Sequence, residues 1–350
     1  MQLYNLGKAP WQETQLIYHA LAAMGRESLV LVSPDAPYVC IGYHQDVSHE
    51  VDTDFCRENN IPIFRRKVGG GAVYLDGDQL FFHLILQRKN PAIPPSKNAF
   101  YQKFLEPIVN IHHRIGIPAE YKPVNDIIVS NRKISGTGVG EIGECVVFVG
   151  NLILDFNYEM MSRILKVPDE KFRDKVRKTI EDNLTTIRRE LMDAKASARW
   201  DESQLNALLA DEFGKLLGSF DPGAKDDALI SKMAELDSKM NNDAWLYRKG
   251  KPVSKRSVKI RSGVEVAHRT HKSPGGLIRA DFEVRDGRLS NVSISGDFFC
   301  YPKDSISRLE SMLEGASAAE IQNVLKEFYS RPDIETPGVD LQDWINALSA

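Results

Sequence analysis

Apolar positions along the chain follow two regimes. As far as residue 156, short apolar runs alternate with turn residues. Segments 29–32, 38–41, 61–65, 126–129, 133–135 and 146–156 read as strands, with Ser33-Pro34-Asp35 and Ser130-Asn131-Arg132 as turns. Segments 72–75 and 80–86 flank Asp76-Gly77-Asp78 and predict a further strand pair. Helical spacing appears over 11–25, with Leu16, Ala20 and Ala23 on one face, and over 52–60. Phe100, Phe104, Ile108, Ile111 and Ile115 recur every three or four residues, predicting an amphipathic helix that ends near Gly116-Ile117-Pro118. After Asn157 the character changes. Residues 159–218 are charged and helical in pattern, with an apolar stripe of Leu205, Leu208, Leu209, Phe213, Leu216 and Leu217. Residues 218–223 break the chain, and 226–240 predict one more helix. A second unit begins near Asn241. Ile278, Ala280, Phe282 and Val284 alternate with period two, and Asp286-Gly287 leads into 289–294, a hairpin signal, because both turn positions favour positive φ. The tail from Ser305 is helical in pattern. The fold class is therefore α+β: a large mixed α/β unit over 1–240, then a small α+β unit over 241–350.

Length and charge agree with this plan. At 350 residues, 42% of them hydrophobic, the chain can bury two cores. A net charge of −3 gives no global reason to expect a nucleic-acid partner. No basic-then-apolar leader opens the chain and no apolar run is long enough to span a bilayer, so neither secretion nor a membrane is expected. Cys40, Cys56, Cys145 and Cys300 are scattered and read as reduced thiols, the expectation for a cytoplasmic protein; monomer is the default state.

Two segments carry candidate chemistry. Arg65-Arg66-Lys67-Val68-Gly69-Gly70-Gly71 follows a strand and leads into another. Its three glycines let the backbone approach a ligand with N–H groups free to face an anion, and its arginines supply positive charge; a flexible basic loop is the plainer reading. The glycine spacing fits neither a Walker A loop nor a dinucleotide fingerprint. Asn125-Asp126 opens one strand, and Lys133-Ile134-Ser135-Gly136-Thr137-Gly138 opens the next. Small residues leave space around Lys133, and an ammonium there could stabilise the meeting of a carboxylate with an α-phosphate. Asp126 could hold a magnesium ion. An exposed basic hairpin is the alternative. His83 reads as a satisfied core histidine, and His112-His113 as helix residues facing different directions. His268 and His271 have ligand-like spacing without an evident third ligand. The basic run Arg248, Lys249, Lys251, Lys255, Arg256, Lys259 and Arg261 reads as a solvated face, or as a surface that steers an acidic carrier.

Taken together, these motifs resemble the lipoate–protein ligase family of the biotin/lipoate ligase superfamily, in its two-domain form with an accessory domain. The resemblance runs through Ile41-Gly42-Tyr43-His44-Gln45, Arg66, the three glycines, Asn125-Asp126 and Lys133-Ile134-Ser135-Gly136. It continues through 165–191 and the C-terminal unit around Trp245, Tyr247 and 275–301. It implies activation of lipoate or octanoate by ATP to an acyl-adenylate, then transfer to a lysine of a lipoyl-carrier protein. It further implies that Lys133 bridges carboxyl and α-phosphate, and that Arg66, Gly69, Gly70, Gly71, Asn125, Asp126, Ser135 and Gly136 hold the nucleotide. Asp126 would take Mg2+, and Gly71, Val73 and Gly150 would line the acyl site. Val68, Leu75 and Val149 depart from residues common in the family, which bears on the shape of the acyl pocket or on the carrier. Two alternatives stay open: acyl transfer through a cysteine thioester, for which Cys145 is the candidate, and a non-catalytic binder of lipoate or of carrier domains. Biotin ligase ranks last, because the loop lacks alternating glycine and arginine.

Overall fold

A computed structural model describes residues 1–167, 169–192, 199–249 and 264–349. Its main sheet has eight strands in the order β11-β1-β2-β6-β10-β9-β8-β7. These are β1 (Gln2–Ala9), β2 (Ser28–Pro34), β6 (Gln79–Gln87), β7 (Glu120–Lys122), β8 (Asp126–Val129), β9 (Arg132–Ile142), β10 (Cys145–Ile153) and β11 (Asp221–Pro222). β1 runs parallel to β2 and β11; every other pairing is antiparallel.

Strand alternation gives the sheet two buried faces. On one face Phe82 and Phe148 meet Phe213, Phe100 and Phe104 of the helices Glu202–Leu217 and Lys97–Arg114, the helices expected from the apolar stripes. On the other face His83 meets Tyr18 of the helix Trp11–Ala23.

A second sheet, in the order β4-β3-β5, comprises β3 (Tyr38–Ile41), β4 (Ile63–Arg65) and β5 (Val73–Leu75). This corrects the expected pairing of 72–75 with 80–86. β5 pairs with β3, and β6 pairs with β2 and β10, so the Asp76-Gly77-Asp78 turn passes the chain from one sheet to the other. The β8–β9 hairpin forms as expected, with Ser130 at φ 48° and Asn131 at φ 63°, the left-handed pair of a two-residue turn.

The C-terminal unit is an antiparallel sheet of β12 (Val264–Ser273), β13 (Gly276–Arg285) and β14 (Arg288–Gly296), with the helices Ser305–Leu313, Ile321–Tyr329 and Leu341–Leu348. Its core gathers Ile278, Ala280, Phe282, Ile294, Phe298 and Trp344. The short helix Asp243–Leu246 packs on the first unit, where the Trp245 indole donates to Arg65 O at 2.8 Å.

The two units meet closely. Tyr43 Oη donates to Asp304 Oδ1 at 2.6 Å, Tyr301 Oη donates to Val139 O at 2.8 Å, and His44 stacks on Phe298 at 5.2 Å between centroids. Arg248 lies over the Tyr43 ring, and buried Lys249 pairs with Glu310 at 2.7 Å, so these two are not a free basic face. Lys251, Lys255, Arg256, Lys259 and Arg261 lie outside the described residues. No helix among the described residues is long and apolar enough to cross a membrane.

Candidate active site

The glycine loop, the head of β9 and the pocket face of the main sheet enclose a cavity of about 160 Å³. Arg66, Gly69, Gly70, Gly71, Val73, Asn125, Lys133, Gly136 and Gly150 all line it, so most of the residues picked from sequence are brought together. Ser135 and Asp126 are set apart from the cavity wall. Ser135 is fully buried on the opposite face of β9 from Gly136, its hydroxyl donating to Asn151 O at 2.6 Å, which corrects its assignment to the nucleotide. Asp126 instead pairs with Lys133, its Oδ1 2.5 Å from Nζ. Gly150 contributes backbone only. A Cβ there would lie 2.4 Å from the Phe82 ring, so packing on the far face of the sheet requires the glycine.

The two adjacent arginines have different tasks. Arg65 is fully buried, and its guanidinium donates to five carbonyls: Gly42, Tyr43, Gln45, Trp245 and Leu246. It therefore locks the 41–45 turn and the docked helix together and does not supply charge to an anion, contrary to the expectation. Arg65→Met should destabilise the protein by about 3 kcal/mol, because those carbonyls lose a charged donor. Urea denaturation reads this directly; a loss below about 1 kcal/mol would mean that water replaces the guanidinium.

Arg66 lies on the cavity. It donates to Gly69 O at 2.8 Å, Gly71 O at 2.9 Å and Cys40 O at 3.2 Å, folding the glycine loop around its own side chain. The loop carbonyls are thereby turned inward. Among the described residues, the N–H groups of Gly69, Gly70 and Gly71 donate to no protein group, the arrangement of an anion cradle. Gly70 sits at φ 89°, and a Cβ on Gly42 would come 1.8 Å from Gly70 O, so the loop can rest on the 41–45 turn only because both are glycine. His19 braces the loop from below: Nδ1–H donates to Gln15 O at 2.7 Å and Nε2 accepts from the Lys67 N–H at 3.1 Å. Burial holds this imidazole neutral, far below its ordinary pKa.

The rest of the lining comes from elements without a local motif. Asn151 accepts from the Gly136 N–H at 2.9 Å and donates to Gln79 at 2.8 Å, fixing the floor beside Lys133. Gln15, Tyr18, Phe81, His83 and Val149 form the deep wall. Phe299 reaches in from the C-terminal unit and covers the glycine loop; a Cβ on Gly69 would lie 2.9 Å from its ring. The departures Val68, Leu75 and Val149 all face this cavity. His83 is not the satisfied core residue expected, since its Nδ1 is buried without a partner.

Cys145 is fully buried at the opposite end of β10, six residues or roughly 20 Å along the strand from Asn151. Burial pushes its thiol pKa up. His268 pairs with Asp281 and His271 with Asp343, and no cluster of metal-ligating side chains occurs among the described residues.

The family model of the lipoyl protein ligase A/B catalytic domain matches residues 8–211, and that of the bacterial lipoate protein ligase C-terminus matches 266–348. The lipoate-protein ligase LplJ of Bacillus subtilis is 27% identical over 83% of this chain and 81% of its own length. Among solved structures, the bi-partite lipoate protein ligase of Thermoplasma acidophilum, described with its E2 lipoyl domain, is 25% identical with a TM-score of 0.62, covering 72% of this chain and 98% of that one. P. falciparum LipL1 in complex with lipoate is 16% identical but shares the fold over 95% of both chains, with a TM-score of 0.69. With its first unit matched over more than half of the chain and its second in the expected order, this chain belongs to the lipoyl protein ligase A/B catalytic-domain family.

Proposed function

We propose that this chain is an ATP-dependent lipoate–protein ligase, with residues 1–240 as the adenylating unit and 241–350 as the accessory unit, the helix Asp243–Leu246 docked on the former. The carrying observation is Lys133 on a narrow cavity also lined by a loop of three glycines, whose N–H groups donate to no protein group among the described residues. In the first step a carboxylate oxygen of lipoate or octanoate attacks the α-phosphorus of ATP, and the bond to pyrophosphate breaks. Lys133 stands between the two anions, and the glycine N–H groups and Arg66 face the phosphates. Magnesium would neutralise the phosphate charge, and Asp126, beside Lys133, is the carboxylate that would hold it, since magnesium commonly uses one or two carboxylates plus substrate phosphates. In the second step the amine of a carrier lysine attacks the acyl carbonyl and AMP leaves. Relatives named as ligases, one of them described with an E2 lipoyl domain, support this substrate and partner.

Exchange of labelled pyrophosphate into ATP tests the reading. Exchange that requires lipoate or octanoate, and that persists undiminished in Cys145→Ala, is expected. Absence of exchange, together with loss of acyl transfer in a folded Cys145→Ala variant, would replace adenylation with a thioester route.

A further inference from the structure

The deep wall of the cavity carries a group that adenylation does not use. His83 is 2% exposed, and among the described residues neither of its ring nitrogens has a hydrogen-bond partner; Nδ1 is sealed from solvent altogether. The ring lies 4.6 Å from Tyr18 and 6.2 Å from Phe81 between centroids, and all three line the cavity. A buried imidazole with nothing to bond is destabilising, and a leucine in the same place on β6 would suit the surrounding core better. Nδ1 is sealed, so Nε2 is the nitrogen that a molecule in the cavity could meet.

The register shows which end of such a molecule reaches it. His83 stands opposite Val149 on β10, and Val149 stands opposite Gly138 on β9, on the same face as Gly136. Lys133 is at the start of that strand. Two inter-strand spacings and five residue steps along β9 place the two Cα atoms roughly 19 Å apart. A lysine side chain and an extended medium-length acyl chain together span that separation. With the carboxylate at Lys133, the far end of the acid arrives at His83.

We propose that His83, backed by Tyr18 and Phe81, recognises the sulfur atoms at the distal end of the acyl chain and thereby makes the site select lipoate over octanoate. The inference rests on the ligase reading for the identity of the acid. A neutral imidazole offers one N–H donor and one acceptor. A dithiolane sulfur accepts such a donor weakly and packs favourably against aromatic rings at about 5 Å. The methyl end of octanoate does neither, and leaves the imidazole without a partner. Burial with no compensating partner holds the ring neutral, its pKa pushed down to about 3, so an uncharged ligand end meets an uncharged side chain.

Calorimetric titration of the full chain with three acids tests this: lipoate, octanoate, and the cyclopentyl isostere in which methylenes replace both sulfurs of lipoate. The wild type should bind lipoate roughly tenfold more tightly than the isostere. In His83→Leu that ratio should fall to near one while octanoate binds no less tightly. Equal binding of lipoate and isostere by the wild type overturns the inference, as does an unchanged ratio in the folded variant. Should His83→Leu fail to fold, the wild-type comparison decides alone, because the two acids share a shape and differ only in sulfur. If none of the three acids binds, the ligase reading falls and takes this inference with it; if all bind with no preference for sulfur, only the inference falls.

Discussion

Lys133→Ala should lower lipoate-dependent pyrophosphate exchange by about a thousandfold while the acid still binds, on the scale of removing one preorganised donor from a developing anion. The expectation comes from where the side chain stands. Its Nζ is 2.5 Å from Asp126 and its stem passes over Gly136, where a Cβ would lie 3.5 Å from Cε. The lysine can therefore swing from Asp126 to a pair of incoming anions at the cavity it lines. In the ground state either anion can be met by the glycine N–H groups or Arg66; only in the transition state are both brought together, so the ammonium acts on rate more than on affinity. Lys133→Arg should rescue little, because a planar, delocalised guanidinium cannot act as a compact point charge. A loss of less than tenfold in Lys133→Ala, by the same exchange assay, would remove this residue from the centre of the mechanism.

The parts of this site that were legible in the sequence are those whose chemistry lies in one continuous run. Three consecutive glycines after a strand, and a lysine followed by small residues, declare themselves because neighbours in the chain are neighbours in the loop. Arg65 and Arg66 show the limit of that reasoning. They look equivalent as letters, yet strand alternation points one into five carbonyls and the other onto the cavity, and the apolar stretch Ile61-Pro62-Ile63-Phe64 before Arg65 was the available clue. β5 and β6 were recognised as strands but paired wrongly, since periodicity fixes that a segment is extended and says nothing about its partner; β3 takes β5 because the second sheet was built before the chain returned to the first. His83 sits in an apolar run that reads equally as core, and only its register against Val149 puts it on a cavity. Phe299 arrives from a separate unit more than two hundred residues after the loop it covers, and no local pattern signals such a contact.

Lowering the pH from 7 to 5 should strip at least about 4 kcal/mol from the stability of the fold, through histidines that are buried neutral. Burial pushes His83 down to about 3 and His112 down to about 4. Burial also lowers His19 and His44, and Lys249, Arg248 and Arg65 press on His44 in the same direction. Each of these rings titrates near 6.5 once the chain unfolds, so between there and its folded value it takes up a proton only on unfolding. Stability is thus fully present above about 6.5 and falls by about 1.4 kcal/mol per pH unit for each such ring as the pH drops, or about 2 kcal/mol apiece for His83 and His112 at pH 5. His19 and His44 add to the loss. Carboxylates held low by hydrogen bonds and ion pairs, such as Glu235 with Lys232 and Lys239, respond only below about 4.5. Urea titrations at both pH values measure the difference, and its slope counts the protons taken up on unfolding. The site itself is involved, because His19 holds the glycine loop through the Lys67 N–H and His44 stacks on Phe298 of the covering unit. Proton uptake by either ring therefore accompanies opening of the loop or its cover, and pyrophosphate exchange should fall together with the unfolding transition. A slope of less than one proton between pH 6.5 and 5 would show that these rings reach water in the folded chain, and would remove the basis for both effects.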